Sequence, residues 1–172
     1  VKDRAPSQDR GDTREQPEEV TVLMSPLDSR VMDANAEALG VSVTSLMGNA
    51  GKAVASFLDE RYPKGRILFV CGPGNNGFAA ASMMDPKRVS VALLKKPSSI
   101  HTDSAWHFYN NLRCPIIDYP KADLDAYDVV VDCALGTGMK GNVRDPYRSF
   151  ITATAGIAAD IVSVDVPSGL GS

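Results

Sequence analysis

The sequence predicts a three-layer α/β/α sandwich around a mainly parallel sheet. The first observation is that unbroken apolar runs of strand length recur, at 66–71, 89–94, 129–131 and 161–164. Unbroken runs are typical of strands that are covered on both faces, as in a parallel sheet. The second observation is that segments of helical length separate these runs, at 78–84, 99–113 and 146–159. Strands and helices that alternate with right-handed crossovers form a Rossmann-like sandwich of this class.

A capped helix is predicted to begin the folded part of the chain. Ser25 is a preferred N-cap residue, Pro26 suits the first helical position, and Asp28 places an acid in the first turn. An apolar stripe at helical spacing follows, and it consists of Leu27, Val31, Ala34, Ala38 and Leu39. Gly40 is placed to end the helix. The stripe packs either inside the domain or against a second copy of the chain as a homodimer, and the pattern leaves both open.

A second helix is predicted over 44–60, before the first strand. Its expected buried side consists of Leu46, Met47, Ala50, Val54, Phe57 and Leu58. This helix also contains the small residues Gly48, Ala50 and Gly51, and each glycine costs about 1 kcal/mol relative to alanine. Because small side chains let another backbone come close, we expect them at a packing contact or a ligand. A weaker, short strand is predicted at 114–118.

Residues 1–19 differ in composition from the rest of the chain. They contain ten charged residues, and their apolar residues are Val1 and Ala5. Burial of apolar surface is what offsets the entropy lost on ordering a chain, so this segment is predicted to be a disordered tail. The folded domain is expected to occupy residues 20–172.

Composition argues against several classes of protein. The chain of 172 residues has the length of about one domain, and no apolar run approaches the roughly 20 residues that cross a bilayer. A net charge of −3 gives no basic footprint, so nucleic acid is not an expected partner. Cys71, Cys114 and Cys133 are too widely spaced for a disulfide framework or a metal clip. They are predicted to be free and buried, in the reducing environment of the cytoplasm.

A glycine-rich turn follows the first predicted strand. Gly72, Gly74 and Gly77 have the G-x-G-x-x-G spacing between a strand and a helix, which indicates either a phosphate-binding loop or simply a tight turn. A dinucleotide dehydrogenase would also have an acid about 20 residues further on. The second strand ends instead with Lys95 and Lys96, which either receive a phosphate or are merely solvated. Hydride transfer by a bound NAD is therefore disfavoured.

Two further strand ends bear carboxylates. Asp132 precedes a glycine-rich loop that contains Lys140, and Asp165 precedes a proline turn that contains Ser168. Two carboxylates aimed at one crevice repel each other unless a cation or a proton lies between them. These side chains and the Asn76 amide are oxygen donors, which hard cations such as potassium, magnesium and calcium prefer. Capping of neighbouring helices is the alternative role.

The sequence resembles the YjeF N-terminal-domain family, the NAD(P)H-hydrate epimerases. The resemblance lies in GPGNNG at 72–77, DCALGTGMKG at 132–141 and DVPSGL at 165–170, in this order. In addition, LMGNAG at 46–51 is similar to the family's helix motif, with Gly48 in place of the usual glutamate. The resemblance covers about 25–172, and it implies that the domain is incomplete at its C-terminal end.

The resemblance implies an enzyme that interconverts the R and S forms of hydrated NADH and NADPH, so that a partner dehydratase can repair them. It also implies a bound potassium ion, held by Asn76, Asp132 and Ser168. Asp165 is the expected proton-transferring group, and Lys140 is expected to anchor phosphate or to tune that carboxylate. The implied substrate contacts are Asn75, Asn76, Gly77, Phe78, Ala79, Gly136, Thr137, Gly138, Met139, Lys140, Gly141, Asn142 and Asp165.

The glycine loop departs from the family's usual GPGNNGGDG. If the loop is aligned without a gap, Phe78 and Ala79 replace a glycine and the acid that contacts the nucleotide in the family. If a gap is allowed, residues 78–81 match the start of the helix that follows the loop, and Gly-Asp-Gly is missing. Loss of these residues predicts a shorter cradle and weaker substrate binding. The alternative function is therefore a catalytically silent binding or scaffold domain of the same family. The group Asp132, Lys140, Asp165 and Ser168 favours the enzyme, because a scaffold has no need for it.

Overall fold

The computed structural model describes residues 25–74, 77–139 and 141–170. Within these residues it contains a five-stranded sheet in which every pairing is parallel, in the order β3-β2-β1-β4-β5. The strands are β1 Ile67–Cys71, β2 Val89–Leu93, β3 Ile116–Asp118, β4 Val129–Cys133 and β5 Asp160–Ser163. The predicted fold class is confirmed. The predicted tail at 1–19 lies outside the described residues.

Two helices precede the first strand and three lie between strands, as the pattern predicts, although the last two are clearly shorter than predicted. They are α1 Pro26–Ala38, α2 Val43–Arg61, α3 Phe78–Met83, α4 Asp103–Asn110 and α5 Tyr147–Thr154. The helix predicted over 99–113 is present but shorter, because the Thr102 side chain accepts a hydrogen bond from the Ala105 amide at 3.2 Å and begins α4 there. The prediction of a helix over 146–159 is also too long, since α5 ends at Thr154.

The order in which strands are added to the sheet reverses between β1 and β4. β2 and β3 extend the sheet on one side of β1, whereas β4 and β5 extend it on the other. The last residues of the central strands are level, with Cys71 opposite both Leu93 and Cys133. In open α/β sheets a ligand binds outside the carboxyl ends of the strands at such a point. The topology therefore directs attention to the loops that follow β1 and β4.

Both faces of the sheet are buried, which explains the unbroken apolar runs. Phe69, Val91 and Val131 belong to the core on the side of α2, α3 and α4. Leu68 and Val130, which alternate with them along β1 and β4, pack in a second core with Phe150 of α5. The two cores are the two interfaces of a three-layer sandwich.

Helix α2 faces the core through small residues. The expectation that Ala50 and Phe57 are buried is wrong, since both are exposed and Phe57 retains 52% of its surface. The buried residues of α2 are Gly51, Ala55 and Leu58. A Cβ atom built on Gly51 would lie 2.5 Å from the Ala79 Cβ and 2.8 Å from backbone atoms of α3. The expected close approach of another backbone is confirmed at this glycine.

Helix α1 begins with the predicted cap. The Ser25 hydroxyl accepts a hydrogen bond from the Asp28 amide, and the Asp28 carboxylate accepts one from the Ser25 amide. The apolar stripe of α1 is not buried in the described structure: Leu27 and Val31 are 62% and 49% exposed. Within the described ranges, no helix combines the length and the apolar character needed to cross a bilayer.

We expect Gly51→Ala to destabilise the domain by about 1–3 kcal/mol, because the added methyl group has no room between α2 and α3. Gly48→Ala is the matched control on the same helix. Its Cβ would lie 3.5 Å from the Phe108 ring, an ordinary contact, so the gain in helix propensity should leave stability unchanged or raise it by up to about 1 kcal/mol. Urea unfolding monitored by circular dichroism measures both. Equal midpoints for the two variants would contradict the packing at Gly51.

Candidate active site

The carboxylate of Asp132 connects the loops that follow β4 and β5. It is 5% exposed, and within the described residues it accepts four hydrogen bonds. Oδ1 accepts from the Ser168 hydroxyl at 2.6 Å and from the Ala134 amide at 3.1 Å. Oδ2 accepts from the Ser168 amide at 2.8 Å and from the Ser163 hydroxyl at 3.3 Å. Because an unpaired buried charge is costly, these donors oblige the two loops to meet.

Ser168 contacts the β4 loop through a second hydrogen bond, in which its side chain is the acceptor. Its hydroxyl oxygen, besides donating to Asp132, accepts a hydrogen bond from the Leu135 amide at 2.8 Å. The Leu135 carbonyl oxygen lies 3.4 Å from the same hydroxyl. Ser168 is itself buried, with 8% of its surface exposed. The side chain therefore fixes the start of the β4 loop relative to the β5 loop.

Asp165 is held at the surface beside this connection. Its backbone has φ of +74°, in the left-handed region that residues other than glycine seldom adopt. Its side chain is exposed, and Oδ2 accepts a hydrogen bond from the Thr137 amide at 3.2 Å. The unusual backbone thus turns the carboxylate towards the β4 loop. An exposed, oriented carboxylate of this kind can transfer a proton to or from a ligand.

The loop after β1 packs closely against the loop after β4. The Gly72 amide donates to the Cys133 carbonyl at 3.2 Å. A Cβ built on Gly72 would lie 2.2 Å from the Ala134 carbonyl oxygen, and one on Gly77 would lie 2.4 Å from the Cys71 sulfur. Neither position has room for a side chain, so both need glycine. The tight-turn role of the glycine motif is supported by these contacts.

The cysteines are free and buried, as predicted. Cys71 and Cys133 are level on adjacent strands beneath Gly77. The hydrogen bond with Cys71, together with burial, raises the pKa of the Cys133 thiol well above its usual value. Burial likewise raises the pKa of Cys114. Such thiols remain protonated near neutral pH and act as small apolar side chains.

Two neighbouring cavities lie along the β4 loop. The larger, of about 440 Å³, is lined by Leu135, Met139, Gly141, Asn142, Val143, Arg144 and Tyr147. The smaller, of about 270 Å³, is lined by Gly136, Thr137, Met139, Gly141, Val166, Pro167, Gly169 and Leu170. They share Met139 and Gly141, and the smaller one extends between the β4 and β5 loops. Together they offer a concave, polar and apolar surface next to Asp165.

The structure brings many of the predicted site residues together. Asp132 and Ser168 are in direct contact, and Asp165 joins them through the β4 loop. The cavities account for Gly136, Thr137, Met139, Gly141 and Asn142, whereas Gly138 is exposed and lines neither. Asn75, Asn76 and Lys140 lie outside the described residues.

The structure places Gly77, Phe78 and Ala79 differently from a substrate-contacting set. Gly77 is buried against the cysteines, and the Phe78 and Ala79 side chains are 0% and 1% exposed. A substrate on the surface cannot touch these side chains, so any contact here must come from the backbone. The full burial of the start of α3 agrees with the gapped alignment, in which Phe78 begins the helix.

Sequence reasoning missed several residues of the site. Tyr147 and Arg144 line the larger cavity, and Ser163 donates to Asp132. Tyr147 opens α5 immediately after the β4 loop, so its position at the start of a helix was the available signal. No signal in the sequence marked Ser163, because a serine within an apolar strand does not differ in pattern from other strand residues.

The acceptor atoms around Asp132 and Ser168 in the described residues are oxygen atoms. None of the described basic side chains forms an ion pair with the Asp132 carboxylate. Ser168 retains one lone pair on its hydroxyl oxygen, and the Leu135 carbonyl lies beside it. These are oxygen ligands of the kind that hard cations prefer. No cluster of three or more His, Cys, Asp or Glu side chains suited to a metal is found in the described part of the chain.

The fold and the site define a Rossmann-like α/β domain that offers a ligand site at the carboxyl ends of its strands. Comparison with known families makes this more specific. The family described as YjeF-related protein N-terminus matches residues 43–172, and this chain belongs to it. The resemblance in the sequence motifs is thereby confirmed.

Curated relatives agree with the family. The chain is similar to the bifunctional NAD(P)H-hydrate repair enzyme Nnr of Methanothermobacter thermautotrophicus, with 38% identity over 86% of this chain and 32% of that protein. It is also similar to the NAD(P)H-hydrate epimerase of Cenarchaeum symbiosum, with 36% identity over 81% of this chain and 70% of that protein. The epimerase of Paramecium tetraurelia is 30% identical over 77% and 60%. The chain thus spans about a third of the bifunctional relatives.

We expect Ser168→Ala to destabilise the domain by about 1–3 kcal/mol, because it leaves the Leu135 amide without its acceptor and Asp132 without its shortest bond. Ser163→Ala removes a single 3.3 Å bond to the same carboxylate and should cost about 0.5–1 kcal/mol. Hydrogen exchange of the Leu135 amide, with urea unfolding, separates the variants. Faster exchange is expected in Ser168→Ala alone, and unchanged exchange there would contradict the connection.

Proposed function

We propose that this chain is an NAD(P)H-hydrate epimerase domain, which interconverts the R and S forms of hydrated NADH and NADPH. Support comes from family membership and from relatives named for this activity. The structural observation on which the proposal depends is the exposed Asp165 carboxylate, oriented by the Thr137 amide beside the two cavities. The left-handed backbone of Asp165 and the Thr137 hydrogen bond together hold this carboxylate at the entrance of the β4 and β5 loops.

The proposed reaction is an acid- and base-assisted exchange at C6 of the nicotinamide ring. Asp165 in its protonated form donates to the C6 hydroxyl, which leaves as water and gives an iminium cation. Water then adds to either face of the ring, and the Asp165 carboxylate accepts the proton that it releases. Ring opening and reclosure is the alternative route. General acid–base assistance of this kind is worth about 10²–10⁴-fold in rate.

The other residues of the site bind and orient the substrate in this proposal. The glycine-rich β4 loop provides a surface that a nucleotide can approach closely, and Met139 and Gly141 connect its two cavities. Asn75, Asn76 and Lys140 keep the roles that the family resemblance implies. Because the first turn of α3 is buried, binding through the β1 loop depends on its backbone.

A potassium ion completes the proposed site. Ser168 and the neighbouring Leu135 carbonyl would hold it, with Asn76, and Asp132 would provide the compensating charge. When bound, such an ion neutralises the buried carboxylate and stabilises the junction of the loops. Asp132 is occupied by hydrogen bonds from this chain, so its contribution is to position the junction as well as to attract the cation.

The biological setting proposed is metabolite repair in the cytoplasm. A dehydratase that accepts one epimer would act on the same metabolite, and the bifunctional names of several relatives support this partnership. Three free, buried cysteines support a reducing compartment. A homodimer through the exposed stripe of α1 remains part of the proposal.

We expect Asp165→Asn to reduce epimerisation by about 10²–10⁴-fold. Asparagine tolerates a positive φ and can still accept from the Thr137 amide, so folding should be preserved. The measurement is an epimer-resolved assay on purified R hydrate, and Asp33→Asn on the exposed face of α1 is the control. Full activity in Asp165→Asn would refute its role. If the wild-type chain gives no acceleration over buffer, the silent scaffold replaces the enzyme.

Potassium should stabilise the wild-type domain more than lithium or tetramethylammonium at equal ionic strength. A ligand that binds the folded state raises stability with the logarithm of its concentration above Kd. The melting temperature in each chloride salt measures this, and Ser168→Ala should abolish the potassium-specific increment. Ser149→Ala, which removes an exposed serine–aspartate bond elsewhere, should keep it. The same increment in every salt would exclude the ion.

A further inference from the structure

Lys95 is a cationic residue for which the proposed reaction has no role. It directly follows Leu94, whose amide donates to the Cys71 carbonyl at 3.0 Å, so this segment passes the carboxyl end of β1. The exposed Lys95 side chain reaches α5, with Nζ 5.8 Å from the centroid of the Tyr147 ring. A cation at this distance from an aromatic face is attracted to it. The contact places the Lys95 ammonium beside Tyr147, which lines the larger cavity.

The larger cavity has an excess of positive charge at this wall. Arg144 lines it, and no acidic side chain is among its described lining residues. In the ranges that the structure describes, neither Lys95 nor Arg144 forms an ion pair. The whole chain has a net charge of −3, so the local excess does not reflect overall composition. Two such cations beside one cavity are suited to an anion, and to phosphate in particular.

We infer that Lys95, together with Arg144, binds a phosphate group of the substrate and contributes to substrate specificity. The inference rests on the proposed function, which identifies the ligand as a dinucleotide. Hydrated NADH offers the diphosphate, and hydrated NADPH offers a 2′-phosphate in addition. Either group presents the same chemistry to a lysine and an arginine. The adjacent Lys96 is exposed and has no such aromatic contact among the described residues, which makes it a matched control.

Calorimetric titration of the full chain with NADP⁺ and with NAD⁺, at low salt, tests this inference. Lys95→Ala should weaken binding about tenfold, whereas Lys96→Ala should change it less than twofold. Lys95→Arg should restore the affinity, and added salt should reduce the difference between wild type and Lys95→Ala. A loss confined to NADP⁺ assigns the 2′-phosphate, and an equal loss for both dinucleotides assigns the diphosphate.

Unchanged affinity in Lys95→Ala, or an equal loss in Lys96→Ala, overturns the inference. The epimerase assay distinguishes this failure from failure of the proposed function. Epimerisation by the wild-type chain, with the same Michaelis constant in Lys95→Ala, removes the phosphate contact and retains the activity. Binding that depends on Lys95 without epimerisation removes the activity and retains the contact. Absence of dinucleotide binding by the wild-type chain overturns both.

Discussion

A buried carboxylate needs hydrogen-bond donors to replace the water that it has lost. The donors to Asp132 determine how the loops of the site are arranged. Within the described residues its donors come from the end of its own strand and from the β5 segment, which is 36 residues away at Ser168. No single loop could provide them. The compensation of one charge therefore requires two loops to fold against each other. The groove between them, with Asp165 at its surface, is a consequence of that requirement.

Close backbone contacts determine how tightly the loops at the carboxyl ends of β1 and β4 pack together. Gly72 lies against the Ala134 carbonyl, and Gly77 lies over the cysteine side chains at the ends of β1 and β4. At Gly51 the second helix comes equally close to α3, which follows the glycine loop. Each contact excludes a Cβ atom, so these glycines serve packing before any ligand is considered. The glycine motif can therefore form a tight turn and also contribute to a phosphate-binding loop. The turn places the start of the β1 loop against the β4 loop.

The sequence was sufficient for the fold and for the positions of the site loops, because both follow from local pattern. Unbroken apolar runs mark buried parallel strands, and Asp132 and Asp165 mark strand ends. It was not sufficient for interactions between distant segments. The orientation of α2, with Phe57 outward, depends on how α3 approaches, and the contact of Lys95 with Tyr147 depends on the crossing of two loops. The unburied stripe of α1 also shows that helical periodicity predicts a face but not its partner.

Under the proposed function, the gapped alignment of the glycine loop shifts substrate binding to another wall of the site. In this chain α3 begins immediately after Gly77, and its first residues, Phe78 and Ala79, are in the core. They cannot move outward to replace an acid that contacts nucleotide, since α3 is packed against Gly51. Under the proposed function, side-chain contacts to a dinucleotide therefore come mainly from the opposite wall, where the β4 loop, Asp165 and the cations beside Tyr147 lie. Under the proposed function, a domain that retains this wall can lack part of the glycine loop and still orient a phosphorylated ligand towards Asp165, whose exposed carboxylate accepts a hydrogen bond from the Thr137 amide.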